Sequence, residues 1–183
     1  IIILNYNAGQ LLFDCCESIL KTSYSNFEII VVDNASIDGS HKKCKKKFEK
    51  IRLIENKKNL GYCEGNNVGI RNASGDYLLI LNPDTIIESD LIEKFLETIK
   101  NYGEGLFQGK NVAIDNDNIL RSTGNWINLF GFGYARDKGT KESNKFFNVE
   151  EINYASGTCL FTSTKTMKKI GLFDSFLFLY LSK

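Results

Sequence analysis

The chain opens on an apolar, β-branched run at residues 1–4 that ends in the polar turn Asn5-Tyr6-Asn7. The period then changes. Leu11, Cys15 and Ile19 form one series and Leu12, Cys16 and Leu20 a second beside it, both at the four-residue spacing of a helix face. Residues 27–32 are again apolar except for Glu28, and the run closes on Asp33-Asn34-Ala35-Ser36. A strand buried on both faces of a parallel sheet reads this way. The pattern then predicts a polar helix over 38–50, a short strand over 51–55, a helix over 65–72, a strand over 77–81 and a helix over 89–102 with Ser89 as its N-cap.

Strands that alternate with helices predict a parallel sheet covered on both faces and joined by right-handed crossovers. Ligands of such sheets collect at the carboxyl ends of the strands. Three polar clusters fall at those ends: Asn5-Tyr6-Asn7, Asp33-Asn34-Ala35-Ser36 and Asn82-Pro83-Asp84. Pro83, the single proline, follows the strand over 77–81, where the ladder has ended and no N–H is needed. Its fixed φ helps to hold the turn that carries Asp84.

Beyond residue 102 the pattern weakens. A strand is expected over 106–114, a turn at 115–118, a glycine- and aromatic-rich loop over 123–139, and a polar, mobile connection over 138–148. Regularity returns with a strand and a short helix ending near Gly171.

Composition narrows the partners. With 183 residues the chain is one domain in size, and 43% hydrophobic residues exclude a disordered or polyelectrolyte chain. The 23 basic and 22 acidic groups balance, so net charge names no partner. The segment KKCKKKFEK lacks interleaved aromatics and reads as a solvated helix face, with no nucleic-acid partner. No apolar run approaches the ~20 residues of a membrane span. Five scattered cysteines and one histidine, without a Cys-x-x-Cys pair, exclude a zinc site of the usual kind and read as thiols in a reducing cytosol. The chain lacks an initiator methionine and begins on a strand, and is therefore expected to be a fragment.

Candidate chemistry gathers at the strand ends. Asp33 is placed either to accept hydrogen bonds from a base edge or ribose, or to stand at the start of the next helix beside Ser36 and Asp38. Gly61, Gly65, Gly69 and Gly75, with Asn66-Asn67 between them, allow close approach of a polyhydroxylated or phosphorylated ligand. They match neither the phosphate-loop nor the dinucleotide glycine pattern. Asp84 is placed to hold a hard divalent cation against substrate phosphates, or simply to close an Asn-Pro-Asp turn.

The segments NYN, EIIVVDNASIDGS, NLGYCEGNNVGIRNASGDYLLILNPDT and SGTCLFTSTKTMKKIGLFD stand in an order and spacing that resembles the family 2 inverting glycosyltransferases, in their rhamnosyltransferase-like branch. The likeness covers nearly the whole chain. It implies an α/β fold of the GT-A type, a Rossmann-like, mostly parallel sheet with helices on both faces. It further implies a single domain over 1–183, with a nucleotide-sugar-binding half at about 1–114 and an incomplete acceptor-side part at about 115–183.

By the same resemblance Asn5, Tyr6, Asn7, Asp33 and Asn34 line the nucleotide pocket, with Asp33 near the base or ribose, and Asn66 and Asn67 face the nucleotide and sugar-phosphate. Asn82 and Asp84 sit at the diphosphate. Asp84 matches the last carboxylate of the family's Asp-x-Asp element and would hold Mg²⁺ or Mn²⁺, while Gly157 and Thr158 border the acceptor site. The implied partners are a UDP- or dTDP-linked sugar donor and a glycan or lipid-linked acceptor. The implied setting is cytoplasmic polysaccharide biosynthesis for the cell envelope, at the inner face of a membrane reached through regions outside this chain.

Members of that family continue after the GLFD segment to a Glu-Asp pair that supplies the general base. Ser182 and Lys183 stand at that position, so the base is expected at or after Ser182 in a C-terminally truncated chain. The competing expectation is a nucleotide-sugar-binding relative without turnover. A nucleotidyltransferase shares the layered plan, but residues 5–10 lack its basic, glycine-rich signature.

Overall fold

The computed structural model describes residues 1–114 and 118–178. Its first half is a strict alternation: β1 (Ile2–Asn5), α1 (Gln10–Leu20), β2 (Ile29–Asp33), α2 (Ser40–Lys47), β3 (Ile51–Glu55), α3 (Gly61–Asn72), β4 (Tyr77–Leu81) and α4 (Leu91–Tyr102). The chain then crosses β5 (Phe107–Gln108), β6 (Asn111–Val112), β7 (Leu120–Ser122), β8 (Asn125–Ile127) and β9 (Gly133–Ala135). It returns to the main sheet as β10 (Cys159–Ser163), followed by α5 (Thr164–Ile170).

The sheet has the order β3-β2-β1-β4-β10-β5. Its first four strands run parallel, and β10 lies antiparallel to both β4 and β5. The register pairs Asn5 with Asp33, Asp33 with Glu55, Ile3 with Leu81, and Leu81 with Cys159. The carboxyl ends of four strands and the amino end of β10 therefore share one edge.

Successive strand residues point to opposite faces, and both faces are covered. Ile3, Val31, Leu79, Leu81 and Phe161 face a core closed by Leu12, Cys16 and Ile19 of α1, Cys44 of α2, and Phe95 and Ile99 of α4. Ile2, Leu78, Ile80 and Leu160 face Ile70 of α3 and Met167 of α5. Every residue of β2 and β10 is buried, which is why their sequences are continuous rather than alternating.

Two glycines set how closely α3 lies on β1. A Cβ at Gly65 would fall 2.5 Å from Leu4 Cδ1, and one at Gly69 would fall 2.4 Å from Ile2 Cγ2. Their small size serves helix-on-sheet packing, where the sequence predicts close approach of a ligand. The helix also starts four residues earlier than expected, at Gly61, whose φ of 78° favours glycine.

Other boundaries moved for local reasons. α2 stops at Lys47 because Phe48 turns extended and tilts its ring against Phe13 at 6.4 Å. Ser89 does not cap α4: its carbonyl accepts from the amide and hydroxyl of Ser23, and Asp90 holds the N-cap position. The single strand expected over 106–114 is broken at Gly109, whose amide donates to Cys159 O before the chain leaves for β6. The loop expected over 123–139 contains the β8–β9 hairpin. Of the turn expected at 115–118, residues 115–117 lie outside the described residues, and Asn118 has a φ of 58°. Ser163 caps α5 by accepting from Thr166 N at 3.0 Å. No helix among the described residues is long and apolar enough to cross a membrane.

Candidate functional site

The register that pairs Asn5 with Asp33 also joins their side chains. Asn5 Nδ2 donates to Asp33 Oδ1 at 2.7 Å and lies within reach of Ser36 Oγ and Ser40 Oγ. Asp33 Oδ2 accepts from Ser36 N at 2.9 Å. Asn7 bridges the same two loops, donating its amide to Ser36 Oγ and accepting Ile37 N at 2.8 Å. Asn7 and Ala35, with φ of 54° and 62°, make the sharp bends that let the loops meet. Of the two roles the sequence leaves open for Asp33, the contacts seen are those of the second: it braces the loop that leads into the next helix. Tyr6, between Asn5 and Asn7, is 53% exposed.

Asp38 completes this knot by accepting from Ser40 and Gly9. Burial pushes its carboxyl up, but those hydrogen bonds and nearby His41 outweigh the push and hold it below the usual carboxylate range. His41 is 4% exposed and stands between two acids, with Nδ1 3.3 Å from Asp33 Oδ1 and Nε2 3.3 Å from Glu55 Oε1. The first contact is within ion-pair distance yet misaligned, so Nδ1 is a buried nitrogen without a hydrogen bond. In the sequence a lone histidine on a lysine-rich helix argues only against zinc and carries no sign of this position.

A chain of amides runs along the neighbouring loops. Asn34 Oδ1 accepts from Asn56 at 2.8 Å, and its Nδ2 donates to Asn59 Oδ1 and to Gly61 O. Asn34 therefore ties the end of β2 to the start of α3. Asn56 directly follows β3 and Asn59 opens the NLGYC segment, and an asparagine-bearing stretch directly after a strand is a usable signal of such a chain. On α3, Asn66 is fully buried, donates to Tyr62 O and leaves its Oδ1 without a partner. Asn67 grips the backbone of Phe173 from both sides, donating to its carbonyl at 2.8 Å and accepting its amide at 3.0 Å. The expectation had both amides facing a ligand. In the structure Asn67 is committed to the segment after α5.

The third cluster is a turn. Thr85 N and Oγ1 both donate to Asn82 O, which puts Pro83 at the second position of the turn, where its fixed φ is favourable. Asn82 N donates to Thr158 O at 3.0 Å and extends the pairing of β4 with β10 by one residue. Thr158 is held by Ser156, and Tyr62 Oη donates to Gly157 O at 2.9 Å. A Cβ at 157 would lie 1.9 Å from the Tyr62 hydroxyl, so any larger residue there displaces the tyrosine. Asp84 is exposed, and its carboxylate has no hydrogen bond or ion pair among the described residues.

The edge thus gathers two groups: Asn5, Asn7 and Asp33, with Ser36 and His41; and Asn82, Asp84, Gly157 and Thr158, with Tyr62. β1 lies between β2 and β4 and so separates them by one strand. A depression of about 380 Å³ lies between α1 and residues 86–89 and includes none of these side chains. Ser182 and Lys183, at the position expected for a base, lie outside the described residues.

The family model for glycosyl transferase family 2 matches residues 1–171. The chain is 34% identical over 98 residues to the glycosyltransferase GlyG of Streptococcus pneumoniae serotype 4, covering 52% of this chain and 33% of GlyG. With the glycosyltransferase GlyA of the same organism it shares 27% identity over 181 residues, covering 97% of this chain and 25% of GlyA. It therefore spans a third or less of either relative. Residues 1–349 of S. aureus TarS in complex with UDP superpose with a TM-score of 0.70 at 19% identity, covering 97% of this chain and 50% of that one. The mannosyltransferase PcManGT of Pyrobaculum calidifontis, in complex with GDP-Man and Mn²⁺, gives 0.68 at 17%, covering 95% and 46%.

Proposed function

The chain belongs to glycosyl transferase family 2, and from that premise we propose that it forms the donor-binding part of an enzyme that transfers a sugar from a nucleoside diphosphate to a glycan or lipid-linked acceptor with inversion. The observation that carries the reading is the convergence of Asn5, Asp33, Asp84 and Thr158 on one carboxyl edge of the sheet. Open α/β sheets bind ligands there.

Asp33 and the exposed Tyr6 take the base and ribose. Asn5, Asn7 and Ser36 hold Asp33 in place. Asn34, Asn66 and Asn67 fix the loops and the start of α3 around the donor. Gly157 and Thr158 border the acceptor.

Asp84 suits a Mg²⁺ or Mn²⁺ held mostly by substrate. Among the described residues no three His, Cys, Asp or Glu side chains cluster around a metal position, and one free carboxylate is what a phosphate-borne ion requires. Such an ion, when bound, neutralises charge on the departing diphosphate. Asn82, where the family's element has its first carboxylate, favours the rhamnosyltransferase-like branch and a UDP- or dTDP-linked donor.

In the single displacement the acceptor oxygen attacks the anomeric carbon, the bond to the diphosphate breaks with its electrons leaving on the phosphate oxygen, and a base takes the hydroxyl proton. The buried free thiols suit a reducing cytoplasm.

Calorimetry with UDP and with dTDP, each in the presence of Mn²⁺, tests the donor site. Binding of one of them is expected, weakened by about tenfold or more (~1.4 kcal/mol) in Asp84→Ala. No binding by either, or unchanged affinity in the variant, overturns the assignment. A second reading, donor binding without turnover, is motivated by Ser182 and Lys183 standing where the resemblance expects carboxylates. Detection of donor hydrolysis or transfer by this chain sinks it.

A further inference from the structure

We infer that the β8–β9 hairpin is a lipid-docking element that seats its tip in the surface of an anionic bilayer. Residues 126–134 contain no charged side chain. At the tip Leu129, Phe130 and Phe132 are 97%, 83% and 70% exposed, a degree of exposure that water alone opposes strongly for three large apolar groups within four residues. Below them Trp126 and Tyr134 sit opposite each other in register, both with large exposed surface. At the base Lys138, Lys141 and Lys145 are exposed, while Arg136 is ion-paired with Asp137 and Glu150.

Apolar tip, amphipathic aromatic waist and basic base follow the order of acyl chains, interface and anionic headgroups across one leaflet. The tip is convex. A protein partner would need a matching cavity for it, whereas lipid deforms around it.

The backbone of the tip is also suited to an apolar medium, where an unbonded N–H is costly. Asn128 Oδ1 accepts the amides of Phe130 and Phe132, each at 3.0 Å, Asn128 O accepts Gly131 N, and Asn128 N donates to Phe132 O. One side chain and its own backbone therefore bond the amides of Asn128, Phe130, Gly131 and Phe132 from within. Gly131, with a φ of 82°, permits that conformation.

The hairpin is tied to the candidate site. Ile127 N donates to Asn153 Oδ1, and Gln108 Oε1 accepts from both Asn125 Nδ2 and Ser156 N at 2.7 Å. Ser156 in turn holds Thr158. Docking would hold the Gly157-Thr158 edge near the headgroups, where a lipid-linked acceptor presents its sugar. That consequence rests on the transfer reading, but the docking itself does not.

The experiment uses this chain with vesicles of pure phosphatidylcholine and of equal parts phosphatidylcholine and phosphatidylglycerol. Trp126 is the only tryptophan and so reports on the hairpin directly. Expected are co-sedimentation with the anionic vesicles, a blue shift of Trp126 emission and its quenching by lipids brominated in the acyl chain. Phe130→Ser/Phe132→Ser, at exposed positions, should keep the thermal midpoint and lose about tenfold or more of vesicle affinity. Absence of vesicle binding by the parent chain, or equal binding by the variant, overturns the proposal. So does a parent chain that dimerises through the tip without binding vesicles, which would assign the surface to a second copy.

Discussion

Gly157 shows how a single missing side chain arranges the edge. Its carbonyl takes the Tyr62 hydroxyl, and the space for a Cβ is already filled by that hydroxyl. Gly157→Ala is expected to destabilise the protein by about 1–3 kcal/mol, the usual cost of overpacking. Tyr62→Phe alone should cost about 1 kcal/mol, the net worth of one hydrogen bond. The double variant should lose less than the sum, because the phenylalanine removes the nearest of the clashing atoms, leaving Cζ at 2.8 Å. Urea unfolding of the four proteins measures this, and strict additivity would break the link between α3 and the 157–158 segment. Asp33 and Asn67 carry a related lesson. Their residue types point to ligand contact, but their first partners are Asn5, Ser36 and the backbone of Phe173. A polar side chain at a strand end looks the same in sequence whether it bonds a ligand or its own loops.

Elements were legible where one physical requirement dominated. β1, β2, β4 and β10 are central strands, and a largely buried environment imposes continuous apolar runs that are plain in the sequence. α4 was legible from its apolar stripe, which seats Phe95 against Phe161 with ring centroids 4.7 Å apart. Phe95→Ala should therefore cost about 3–5 kcal/mol in denaturant unfolding. A loss under about 1 kcal/mol would mean that the stripe does not hold α4 to the sheet. The β8–β9 hairpin was not legible, for the converse reason. Its strands have three residues each and expose apolar side chains, so neither alternation nor burial marks them. The broken strand at 106–114 failed differently: its two halves pair in different sheets, and nothing local to Gly109 announces the change.

At the scale of the whole molecule, all five cysteines are free and buried. Burial pushes the Cys15 and Cys159 thiols from 9.0 up to about 12. Because the folded pKa values exceed the unfolded one, the unfolded chain releases these protons first as pH rises. The stability they contribute is fully present below about pH 9 and is lost as pH climbs from there toward about 12. The urea midpoint is expected to fall across that window, and to fall less steeply in Cys15→Ala/Cys159→Ala, each compared with its own value near neutral pH. An equally steep fall would assign the alkaline loss to other groups.

The GT-A architecture, with its mostly parallel sheet and helices on both faces, is the one the sequence implied, and the family assignment agrees with it. Local order in the sequence determined β1 to β4, the helices between them and therefore which residues reach the carboxyl edge, because periodicity and strand polarity are properties of neighbouring residues. Only the tertiary structure decided what those residues touch. The grip of Tyr62 on Gly157, the clamp of Asn67 on Phe173 and the seat of His41 between Asp33 and Glu55 join positions 95, 106, 8 and 14 residues apart. Contacts of that kind depend on side-chain packing across the edge, which no single stretch of chain encodes.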